Sequence, residues 1–165
     1  MKKRWWLLMA VMACVSVAGY FWWPISFSSY FADPTQVFAV HTVFSVDYDT
    51  PVIDTTRYEI EPGGEEYIRL EELMGKYTYH RCLATLWNQG TMYDMEEEIT
   101  IWFAYTRDGV PAIHRVTLWD DRAQIWAEGE DGKLVTYRVG YLGNGKAAEL
   151  YEYLKEMIVT WEPEE

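Results

Sequence analysis

Between Trp5 and Trp23 the chain carries nineteen consecutive residues without a charge. Wound as a helix at about 1.5 Å per residue, the run measures about 28 Å, close to the hydrocarbon thickness of a bilayer. Trp5 and Trp6 at one end, and Tyr20, Phe21, Trp22 and Trp23 at the other, are the amphipathic rings that favour the headgroup level, and Pro24 stops the helix. Lys2, Lys3 and Arg4 precede the run, and the first acid after it is Asp33. This bias in Lys and Arg places the N-terminus in the cytoplasm and the remainder outside the cell membrane, as a single-pass protein. The chain therefore divides into an anchor or uncleaved signal over 1–24, a tether over 25–36 and an extracytoplasmic domain over 37–165. Two processing alternatives exist: signal cleavage after Ser16-Val17-Ala18, and lipidation at Cys14 within Val11-Met12-Ala13-Cys14. Retention is favoured, because cleavage leaves Gly19-Tyr20-Phe21-Trp22-Trp23 as an apolar end in water and Cys14 is followed by further apolar residues.

Charge narrows the partners of the outer part. Three of the 14 Lys and Arg precede the apolar run, leaving 11 against 26 acids, a balance of −15. Nucleic acid and anionic lipid surfaces both require a basic footprint, so nucleic acid is excluded and the membrane contact is assigned to the helix alone. Hydrophobic residues at 50% and aromatics at 17% are ample for a folded core. A disulfide between Cys14 and Cys82, the two cysteines, would join a membrane residue to a domain residue, so burial is the expected fate of Cys82.

Alternating apolar and polar residues predict strands over 37–48, with Phe38, Val40, Thr42, Phe44 and Val46 on the buried face and His41 on the other, and over 56–61. Pro62-Gly63-Gly64 ends the second strand. Glu65 and Glu66 then open a helix with Tyr67, Leu70, Leu73, Met74 and Tyr77 on one side, Lys76 in its last turn and Gly75 at its fraying end. Strands follow over 79–86, 99–105, 112–119, 123–128 and 134–139, several joined by turn signals. A closing helix carries Ala147, Leu150, Tyr151, Leu154, Met157 and Ile158 as its apolar stripe. The expected class is α+β: a mostly antiparallel meander sheet of about seven strands with two helices packed on it, in the order ββαβββββα, preceded by one transmembrane helix.

The succession Glu65-Glu66-Tyr67, Leu70-Glu71-Glu72-Leu73, Lys76-Tyr77 and Tyr79-His80-Arg81, followed by alternating strands and a Leu150-Tyr151 to Leu154 helix, resembles small uncharacterised membrane-anchored extracytoplasmic proteins of Gram-positive bacteria. The resemblance implies a bacterial cell-surface setting and carries over no catalytic residue.

The residues support no catalytic, cofactor or metal assignment. Cys82 beside Arg81 and His80 has the types of an activated thiol, yet on a strand Arg81 faces away from its neighbours. His41, His80 and His114 lack the close spacing of a metal site, and Asp47, Asp49, Asp120 and Asp121 lack that of a calcium loop. A pair such as Glu97 and Asp121 arises by chance in so acidic a chain, and Glu96-Glu97-Glu98 reads as a charged run that limits edge pairing. Trp102, Trp119 and Trp126 are more informative, since they alternate with the apolar sets of their strands. They are the candidate interaction surface for an envelope protein or a glycan. The leading expectation is a tethered binding domain without catalysis. The alternatives are an envelope enzyme using Cys82 or a carboxylate pair, and an immunity- or inhibitor-like protein masking a basic partner.

Overall fold

The computed structural model describes residues 2–24, 26–28, 33–47, 50–81, 97–107, 110–119, 124–128, 134–140 and 145–163. Helix α1 spans Lys2–Trp22. Its stretch Arg4–Trp22 is long and apolar enough to cross a membrane, and none of it is buried against the rest of the chain.

Strands β1 (Gln36–Asp47) and β2 (Thr50–Ile60) form a hairpin in which Val37 pairs with Ile60 and Asp47 with Thr50. The chain leaves β2 through a turn at Glu61-Pro62-Gly63-Gly64. Pro62 supplies its fixed φ, Gly63 takes φ +78°, and the Gly64 N–H donates to the Glu61 carbonyl at 2.9 Å. This is a type II turn, which requires the glycine where it stands. It delivers the chain into α2 (Glu65–Gly75), whose Glu65 and Glu66 lie against the positive end of the helix dipole. Lys76 caps the other end, its backbone N–H donating to the Leu73 carbonyl at 3.2 Å.

The remaining elements are β3 (Tyr79–Arg81), β4 (Glu97–Arg107), β5 (Val110–Trp119), β6 (Gln124–Glu128), β7 (Leu134–Val139) and α3 (Gly145–Ile158). The sheet is antiparallel and runs β2-β1-β4-β5-β6-β7-β3. The α+β class with helices on an antiparallel sheet is as the sequence leads one to expect. The spatial path differs from a simple meander: β1 and β2 form one consecutive pair and β4 to β7 a consecutive run, while β3 crosses to the far edge beside β7 and β4 inserts next to β1. The reason lies in β1. It offers apolar side chains on both faces and is sealed best by a second neighbour, whereas β3 is short and suits an edge. Of the strand predicted over 79–86, the part beyond Arg81 lies outside the described residues.

The core sits between α2, α3 and one face of the sheet. Ile99, Ile101 and Phe103 of β4, Val116 and Leu118 of β5, and Leu70, Met74, Leu150, Tyr151 and Leu154 of the helices are fully or almost fully buried. Each large aliphatic side chain so placed contributes about 1.5–3 kcal/mol. In β1 the core positions are Val37 and Ala39, at 1% and 0% exposure. This corrects the expected phase of that strand: Phe38 and Val40 face outward, and His41 lies on the helix side.

Candidate functional site

The sheet face opposite the helices is assembled from rows of residues brought together by strand register. One row runs Glu59, Phe38, Trp102, Arg115 across β2, β1, β4 and β5. The rings of Phe38 and Trp102 stack with centroids 5.8 Å apart and planes 14° from parallel. The Arg57 guanidinium lies 4.4 Å from the Phe38 ring centre, and that of Arg115 lies 5.6 Å from the Trp102 ring centre. Each cation–π contact is worth about 0.5–1 kcal/mol at such half-open positions and the ring pair a similar amount. Their larger effect is to hold two guanidinium planes against rings. Ile113, half exposed and opposite Ala104, extends the patch along β5.

Beyond this strip the same face is closed. Thr100 and Thr117 are buried and share a hydrogen bond of 3.0 Å. Trp119, 6% exposed, stands opposite Glu98. Burial raises the Glu98 pKa, against the lowering effects of the neighbouring Trp119 indole and of Arg115. Of the three tryptophans expected to form a contact surface, Trp102 is half-buried at the open strip and Trp119 is buried. The backbone of Trp126 pairs opposite Thr117, and its side chain lies outside the described residues.

On the helix side, Glu97 gathers the chain's other conspicuous set. His41 Nε2 donates to Oε1 at 2.7 Å and Lys155 Nζ donates to Oε2 at 2.6 Å. Burial alone would raise the Glu97 pKa, but these hydrogen bonds and the Lys155 charge bring it below its usual value. The side chains of His41 and Glu97 are only 14% and 16% exposed. Histidine, carboxylate and lysine are the types used in acid–base chemistry, yet here internal donors occupy both carboxylate oxygens. The cluster therefore ties α3 to β1 and β4 rather than presenting a free base.

A third feature is a cavity of about 530 Å³ where the C-terminal end of α2 meets the start of α3 and the β3–β7 edge. Glu149 accepts from Tyr77 Oη at 3.1 Å and from Lys146 Nζ at 2.6 Å. Burial, then the hydrogen bond to Glu149, pushes the Tyr77 pKa up to about 12, so its hydroxyl stays a donor at neutral pH.

The reactive residues singled out from the sequence do not converge. Cys82 and Asp121 lie outside the described residues. His114 is buried with its ring 4.9 Å from that of Tyr105, and His80 sits on the opposite edge strand, where its Nδ1–H donates to the Trp22 carbonyl at 2.9 Å. Among the described residues no group of three His, Cys, Asp or Glu could hold a metal ion. Cys14 is a free thiol. Phe38, Arg57, Arg115 and the Lys155 partner of Glu97 were not visible as site residues in the sequence. Their partners are brought to them by strand register and helix docking, and no local motif marks them. Comparison with protein-family models, curated proteins and solved structures yields no match.

Proposed function

We propose that this chain is a single-pass, membrane-tethered binding domain displayed outside the cell, and that it captures a protein partner through the Arg57, Phe38, Trp102, Arg115 strip. The observation that carries the reading is the pairing of stacked rings with two ring-held guanidiniums on an otherwise acidic domain. Tryptophan and arginine dominate the energetic centres of protein interfaces, and a flat strip with an apolar flank at Ile113 suits a protein surface that offers carboxylates. Outward display follows from the cationic leader before α1, and a bacterial cell surface follows from the family resemblance. Binding is favoured over catalysis because the Glu97 cluster is internally saturated.

The test places a photo-crosslinking residue at Ile113 in intact cells. A discrete, protease-sensitive adduct is expected, together with its loss in an R57Q/R115Q variant and in W102A. A probe at Val159, exposed on the helix side, should give no such adduct. An adduct that survives in R57Q/R115Q would refute the strip as the contact. One that resists protease but yields to glycan hydrolysis would replace the protein partner with a glycan.

A further inference from the structure

The end of α1 does not hang free of the domain; it seats on edge strand β3. The Trp22 carbonyl accepts from His80, and the Arg81 guanidinium lies 4.4 Å from the Tyr20 ring centre. Tyr20 is the deeper of these two helix residues if α1 spans a bilayer, so β3 climbs away from the hydrocarbon from Arg81 through His80 to Thr78. Thr78 lines the cavity between α2 and α3, and its carbonyl accepts from the Gly140 N–H at 2.8 Å. Two residues of extended chain cover about 6.6 Å, so the cavity opens about one headgroup layer above the level of Trp22.

The wall of this cavity carries two lysines in a domain of net negative charge. Lys76 and Lys146 both line it. Lys146 offsets Glu149, while the exposed Lys76 ammonium enters no ion pair among the described residues. Tyr77 and Tyr153 supply ring surface beside these charges, and Arg81 adds a third cation toward the helix end. Rings at interface depth next to ammonium groups are the chemistry that receives a phosphate with a short glycerol or polyol arm.

We infer that the Lys76, Lys146, Tyr153 cavity is a binding site for the phosphate-bearing headgroup of an anionic lipid in the outer leaflet, beside the anchor. The site revises the expectation that only the helix contacts the membrane: the overall charge repels an anionic surface, but this corner of the domain does not. It depends on the spanning role of α1 and is independent of the Trp102 strip.

The experiment uses the full chain in phosphatidylcholine nanodiscs doped with phosphatidylglycerol whose headgroup carries a diazirine. Co-elution with the discs reports insertion of α1 separately from the cavity. Illumination is expected to label peptides within 73–78 or 146–153, with the yield falling about fivefold in K76Q and further in K76Q/K146Q. A phosphatidylcholine carrying the same diazirine should leave these peptides unlabelled, and excess free glycerol phosphate should compete weakly. Equal labelling by the zwitterionic probe, or undiminished labelling in K76Q/K146Q, overturns the site. Complete competition by glycerol phosphate overturns the lipid as its source. Failure to co-elute overturns the spanning role and this site with it. Both lysines are exposed, so the variants keep the fold.

Discussion

Glu97 accepts from two side chains on two other elements, His41 of β1 and Lys155 of α3, and these donors govern what its loss would do. In Glu97→Gln the Lys155 ammonium and the His41 ring lose an anionic partner in a largely shielded place. We expect a loss of about 1–3 kcal/mol at neutral pH, measured by urea unfolding. The pH dependence has a definite sign. Because the folded pKa of Glu97 lies below the unfolded value near 4.5, its stabilisation is complete above that value and disappears as pH falls through the folded pKa. Glu98, whose pKa is raised, works in the opposite direction on acidification. The variant should therefore show a shallower loss between neutral pH and pH 4 than the parent. Identical unfolding curves at both pH values would show that the cluster contributes nothing.

At the scale of an element, β1 decides how the two faces of the sheet are used. Its alternate sets, Val37, Ala39, His41, Val43 and Phe38, Val40, Thr42, Phe44, are both apolar enough to be a core face. The helices select the first set because Ala39 pairs with Ile101 and Val37 with Phe103, and those β4 residues belong to the buried core. We expect Ala39→Asp to cost more than about 3 kcal/mol, since it buries an unpaired charge, while Val40→Thr stays within about 1 kcal/mol. Thermal melts of the two variants check this, and the reverse ranking would mean that β1 presents its other face to the helices. Placing Phe38 outward is also what lets it meet Trp102, so the same choice of face creates the ring-and-guanidinium strip.

Across the whole molecule, the contact between α1 and β3 sets how the sheet and its helices sit against the N-terminal helix. His80 has a lowered pKa, because burial outweighs the hydrogen bond to the Trp22 carbonyl. The docked state thus resists a proton that the undocked state accepts near 6.5, and docking weakens as pH falls below that value. Taking the protein from pH 7.5 to 5.5 should raise the undocked fraction by at most about tenfold. Hydrogen exchange over residues 20–28 and 78–81 reads this directly. His80→Asn, which keeps a donor and does not titrate, should show no such change. A pH response that persists in the variant would have to arise elsewhere. Since the cavity of Lys76 and Lys146 adjoins this contact, the docking geometry also sets where that cavity stands relative to α1.

Features that need only neighbouring residues are legible along the chain: the uncharged run of α1, the Pro62-Gly63 turn, the apolar stripes of α2 and α3, and the alternation of the strands. Backbone preference and the 3.6- and 2-residue periods act within a few positions, so they can be read in order along the chain. Tertiary structure alone decided which face of β1 is buried, that β3 stands at the far edge, and that Trp119 is enclosed while Trp102 stays half-open. It also brought Arg57, Phe38, Trp102 and Arg115 into one strip, and Lys155 to Glu97 across a separation of 58 residues. These outcomes depend on which elements cover one another, a competition between apolar surfaces far apart in the chain that no local pattern encodes.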